Sequence, residues 1–126
     1  MQTNIPEIVA EVRAEFERYE RALGANDIEV LDACFWNDSR VIRYALFDNA
    51  YGLEAIRASR LARPKVDMRR TLTKTVITTF GRDFATANTE FERLESGRRG
   101  RQTQTWVRTS EGWRVVSAHV SFMPAL

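Results

Sequence analysis

An α+β fold, with helices first and a curved antiparallel sheet after them, is what this sequence predicts. Three observations carry the prediction. Apolar residues recur at spacings of three and four through the first part of the chain. At Met68 the texture changes to long stretches rich in Thr, Val and Ile. Turns of only a few residues separate those stretches. Helices collected on one side of such a sheet make an α+β domain.

The elements follow in order. Val9, Val12, Phe16, Tyr19 and Leu23 share one helical face, so a first helix is expected over 6–23. Pro6 suits its first position, and Gly24 suits its end. Asp27 is placed to cap a short second helix whose apolar stripe is Ile28, Leu31 and Phe35. Residues 40–47 are β-branched and aromatic and read as a strand. Asp48, Asn49 and Gly52 mark a turn, and a third helix over 53–62 should bury Leu53, Ile56 and Leu61 before Pro64 ends it. Four strands then follow over 68–80, 84–94, 101–109 and 113–123, as an antiparallel meander.

With 126 residues, a single domain spanning 1–126 is expected, long enough to bury a core without disulfide staples. Cys34 is the only cysteine and His119 the only histidine, so one chain cannot supply a Cys/His zinc framework. The N-terminus is polar and no apolar run is long enough to span a bilayer, so the cytoplasm is the expected location and no membrane partner is expected. The net charge is +2, and Lys65 and Lys74 are the only lysines. Such a preference for arginine suits planar anions such as carboxylates. Arg98, Arg99 and Arg101 cluster around Gly97 and Gly100, which reads as a solvated hairpin turn rather than a phosphate site. No nucleotide fingerprint or nucleophile elbow is present, and no nucleic-acid partner is expected.

Several stretches are more specific. They are Phe35-Trp36, Val41-Ile42-Arg43-Tyr44, Tyr51-Gly52 with Ile56-Arg57, and Thr79-Phe80-Gly81-Arg82-Asp83. Further on come Glu90-Phe91, Gly100-Arg101-Gln102-Thr103-Gln104-Thr105-Trp106, Gly112-Trp113-Arg114-Val115-Val116 and Ala118-His119-Val120-Ser121. Together they resemble the AtzH-like family of the nuclear transport factor 2 (NTF2)-like, or SnoaL-like, superfamily, a family that includes an oxalurate-catabolism protein. Cys34, Ala45 and Thr103 depart from the family pattern. The resemblance implies a cone-shaped sheet wrapped around three N-terminal helices, with a ligand pocket at its mouth, and a homodimer. It also implies a hydrolase that needs no metal or organic cofactor and acts on small anionic N-carboxylated ureas. The reaction would be decarboxylating amidohydrolysis of 1,3-dicarboxyurea to allophanate, in cyanuric acid or ureide breakdown. The implied catalytic pair is Tyr19 on the first helix and Arg43 on the first strand.

Each candidate has a plainer reading beside the functional one. Tyr19 sits on the apolar stripe, as a core tyrosine with a satisfied hydroxyl or as a pocket proton donor. Arg43, mid-strand among apolar residues, is solvated, paired, or waiting for an anion to grip with a bidentate fork. Strand alternation puts His119 on the face of Trp113, Val115, Ser117 and Ser121, so His119 and Ser121 are either substrate-binding groups in the pocket or core and interface residues. Gln102, Gln104 and Trp106 share a face that serves the pocket, through Gln104, or a dimer contact. Trp36 and Tyr51 flank the first strand and are expected to wall the pocket or pack its mouth. One of Arg69 and Arg70 should point inward. Glu90 and Glu92 share a face and are expected to partner Arg101 and Arg108 rather than to catalyse. An isomerase of the same fold would need a well-placed Asp, and Asp38, Asp48 and Asp67 all fall in turns or element ends. A binding or accessory module without chemistry is the other class this fold allows.

Overall fold

In the computed structural model, which describes residues 1–125, the chain runs α1 (Pro6–Ala25), α2 (Ile28–Ala33), β1 (Ile42–Tyr44), β2 (Asn49–Tyr51), α3 (Leu53–Ala62), β3 (Arg70–Phe80), β4 (Phe84–Arg93), β5 (Arg99–Thr109) and β6 (Gly112–Phe122). The expected α+β architecture is present. The helices pack on one face of a curved six-stranded sheet of order β2-β1-β6-β5-β4-β3. The last four strands form the expected antiparallel meander. The first strand is shorter than expected. It closes on β2 in an antiparallel pair that the sequence reading did not contain, and it runs parallel to β6.

The buried face of α1 is Ile8, Val12, Phe16, Tyr19, Ala22 and Leu23. The helix runs past Gly24 and ends at Asn26, whose left-handed backbone (φ 53°) closes the last turn. Asn tolerates that conformation because its side chain can bond locally. Asp27 caps α2 as its position suggests, accepting a bond from the Val30 amide. In α3 the buried stripe is Leu53, Ile56 and Arg60, while Leu61 is exposed. Spacings of three and four from Leu53 lead to residue 60, and Leu61 lies a further 100° round the helix. Arg60 is buried because Asp32 of α2 meets its guanidinium at 2.5 Å and the Phe35 ring lies under it.

The N-terminus is pinned to the sheet. The Asn4 amide and side-chain oxygen bond the backbone of Thr79, and Glu11 of α1 accepts from Arg108 on β5 and from the Trp113 indole on β6. The core between helices and sheet includes Phe35, Val41, Ala85, Ala87, Trp106, Trp113 and Val115. Cys34 is buried there as a free thiol, and burial raises its pKa. Among the described residues no helix is long and apolar enough to cross a membrane.

One irregularity decides which residues face the interior. Thr105 of β5 faces Ser117 of β6, yet Trp106 faces Val115, so Val116 is an extra residue without a partner. Such a bulge inverts the alternation beyond it. Trp113 and Val115 point inward, and after the bulge the inward residue is Ala118.

Candidate functional site

A cavity of about 480 Å³ opens between the helices and the sheet. From α1 come Tyr19 and Leu23, and from β1 and the turn after it come Arg43 and residues 45–48. From α3 and the segment that follows come Ser59, Arg60, Arg63, Pro64, Val66 and Met68. The sheet supplies Arg70, Phe91, Arg93, Gln102 and Val120. The rim is apolar, with Phe47 92% exposed and Val66 half exposed, whereas the wall is rich in guanidinium groups.

The sheet reaches this geometry through ordinary alternation. Phe91 and Arg93 are two apart on β4, and Gln102 lies opposite Thr89 on β5. Arg70 opens β3 on the inward face, while Arg69 turns outward onto Asp67. The Phe91 ring fits only because residue 100 has no side chain. A Cβ there would stand 2.3 Å from the ring's Cζ atom. Arg70 in turn stacks on Phe91, 4.3 Å from its ring centre.

Five arginines line the cavity: Arg43, Arg60, Arg63, Arg70 and Arg93. Two are neutralised within the fold, Arg60 by Asp32 and Arg70 by Glu20. Arg43 donates to Ser59 Oγ at 2.9 Å, and Ser59 donates to Asp48. The Asp48 carboxylate itself stays 3.7 Å from the guanidinium, beyond direct hydrogen-bond reach. Among the described residues, buried Arg43 Nε has no acceptor. Burial, and then the neighbouring Arg60 charge, push the Arg43 pKa down. Among the described residues, the Arg63 side chain donates only to the neutral side-chain oxygen of Asn26, at 3.3 Å. Its pKa is also pushed down, by burial and then by Arg60, with Arg93 adding repulsion. Arg93 donates to the Asp67 carbonyl at 2.7 Å, and its buried Nε lacks an acceptor among the described residues.

The structure therefore brings Tyr19 and Arg43 to one cavity and leaves five other candidates outside its lining. His119 is exposed on the outer sheet face, edge-on to Tyr44 at 5.5 Å. Ser121 is turned to the same face, accepting from Arg101. Both calls relied on unbroken alternation, and the bulge at Val116 reverses it. Gln104 is fully buried, where its Oε1 accepts from the Trp106 indole and its amide nitrogen has no acceptor among the described residues. Trp36 packs half-buried under Arg40, on a loop whose amide bonds Val115. Tyr51 is exposed and bonds Tyr44 through the two hydroxyls. Trp106 is completely buried, so it is not available for a dimer contact across the outer face.

Other pairings meet the expectation only in part. Glu90 and Glu92 lie outside, opposite Arg101 and Arg99, and Arg108 instead serves Glu11 and Asp83. Asp48, read as a turn residue, stands in the cavity wall. Sequence reasoning missed Arg60, Arg63 and Arg93. Helical spacing from Ile56 signals Arg60, and alternation from Phe91 signals Arg93, but no local pattern marks Arg63. Among the described residues, no three His, Cys, Asp or Glu side chains gather as a metal site.

The comparisons agree on the fold and lineage. The AtzH-like family model matches residues 1–125. A crystal structure of a DUF3225-family protein of unknown function from Pectobacterium atrosepticum is 53% identical, with a TM-score of 0.93 over 97% of this chain and 95% of that one. A cystatin-like fold protein from Burkholderia xenovorans is 48% identical, with a TM-score of 0.94 over 100% of this chain and 99% of that one. An NTF2-like protein of unknown function from Pseudomonas putida shares the fold at 22% identity, with a TM-score of 0.80 over 91% and 86%. None of the curated proteins matches this chain.

Proposed function

This chain belongs to the AtzH-like family, and from that premise we propose that it is a small hydrolase that removes a carboxyl group from N-carboxylated ureas, with 1,3-dicarboxyurea as substrate and allophanate as product. One observation carries the reading: Tyr19 and Arg43, far apart in sequence, line a single cavity whose guanidinium groups outnumber its carboxylates. A small dianion is what such a wall would hold.

The chemistry asks little of the protein. The bond between a urea nitrogen and its carboxylate carbon breaks, the carbon departs as CO2, and the electron pair stays on nitrogen, which takes up a proton; the water of the overall hydrolysis is consumed when the CO2 hydrates to bicarbonate in solvent. Arg43 grips a carboxylate with its fork. Ser59, itself bonded to Asp48, holds that guanidinium in place. Tyr19 hands a proton to the departing nitrogen or donates a hydrogen bond to oxygen as charge develops there, and solvent restores its proton. The apolar rim of Leu46, Phe47, Val66 and Pro64 limits water at the mouth, which strengthens each charge interaction inside. The reading includes a homodimer in the cytoplasm, with the outer sheet face, where Val76 and Phe84 are exposed, as the contact.

The test is release of CO2 from freshly prepared 1,3-dicarboxyurea. Wild type should accelerate it, and Tyr19→Phe and Arg43→Lys should each lower kcat/KM by about 100-fold or more while melting near the wild-type temperature. No acceleration by the wild type would overturn the hydrolase reading and favour a small-acid-binding or accessory protein.

A further inference from the structure

We propose that Arg63 and Arg93 form a second carboxylate subsite in the cavity, so that the protein selects diacids over monoacids. This rests on the hydrolase reading for the identity of the diacid, though not for the preference itself. Arg93 lies directly opposite Arg70 across the β3–β4 pair. Like charges facing each other this way repel unless something neutralises them. Arg70 takes Glu20, which leaves Arg93 with a backbone carbonyl, the Met68 sulfur and a buried Nε that has no acceptor among the described residues. Arg63 has only an amide oxygen as partner. Arg63 and Arg93 also repel one another, and among the described residues no carboxylate is bonded to either. Two half-buried guanidinium groups facing a cavity in this state are completed by an anion.

Gln102 supplies the independent observation. It is 5% exposed and lines the same cavity. Its Oε1 is fixed by a bond from Arg70, which orients the amide, and its buried Nε2 donates to nothing among the described residues. With Arg43 holding one carboxylate and Arg63 with Arg93 holding the other, the Gln102 amide is left to donate to the carbonyl of a ligand that spans them. The consequence is directional. Removing one carboxyl group discards half of the recognition, so the monoacid product leaves and is not degraded further.

Calorimetric binding of glutarate and butyrate tests this without chemistry, since glutarate has the five-atom backbone of the dicarboxylated urea. Wild type should prefer glutarate by about tenfold or more, and Arg63→Gln and Arg93→Gln should each erase most of that preference while moving butyrate affinity less than about threefold. Arg93→Lys, which keeps the charge, should restore part of it. Melting temperatures check that each variant is folded. Equal or no binding of the two acids by wild type, or a preference that survives in both glutamine variants, overturns the subsite. A preference that depends on Arg63 and Arg93 in a protein that hydrolyses no carboxyurea would leave the subsite standing and sink the hydrolase reading instead.

Discussion

The ring of Phe91 lies on the bare Cα of Gly100 across the β4–β5 pair, and a single added methyl would stand 2.3 Å from its tip. The same ring lines the cavity and carries Arg70 on its other side. One glycine thus sets the position of a cavity wall. Gly100→Ala should destabilise the fold by about 1–3 kcal/mol, the usual cost of overpacking. Adding Phe91→Leu should recover part of that loss. Urea denaturation of the single and double variants measures it, and equal stability of Gly100→Ala and wild type would refute the packing argument.

A second prediction concerns Asp32, which joins α2 to α3 by accepting from both Arg57 and Arg60. Arg60 is only 2% exposed. Asp32→Asn would leave that guanidinium buried without a counter-charge, a loss of about 3–5 kcal/mol. Replacing both members, with Asp32→Asn and Arg60→Met, should cost clearly less than Asp32→Asn alone, because the stranded charge is gone. Chemical denaturation of the cycle would reveal the opposite order if the pair were only a surface contact.

The acid limb of stability should depend on Glu11. Bonds from Arg108 and Trp113 hold its carboxyl below the ordinary glutamate value of 4.5. A depressed folded-state pKa adds stability that is present above the unfolded value and is lost as pH falls through the folded one. Glu11→Gln should therefore be less stable than wild type near neutrality, and the difference should shrink on acidification below about pH 4.5. Melting temperatures across that range check the sign. A difference that is constant with pH would mean that the glutamate acts through packing alone.

Much of the architecture is legible in local sequence because it depends on local physics. The spacing of Val12, Phe16 and Tyr19 places those three side chains on one buried helix face. Asp27 caps α2 by reaching three residues along its own chain. The meander follows from short turns that leave each strand beside its predecessor. Tyr19 and Arg43 were visible through the family resemblance, and they meet at one cavity.

Tertiary structure decided the rest, because those outcomes depend on partners distant in the chain. No local pattern reveals that Val116 lacks a partner on β5, yet that one residue turns His119 and Ser121 outward and Ala118 inward. Likewise Arg60, Arg63, Arg70 and Arg93 are similar in sequence. They differ in the fold because Asp32 and Glu20, some 28 and 50 residues away, reach only Arg60 and Arg70. The chain's composition determined that arginine would dominate its cations. Only the packing of helices onto the sheet decided which of those charges stay without a carboxylate partner inside the cavity, since long-range pairing spends some and leaves others facing a ligand.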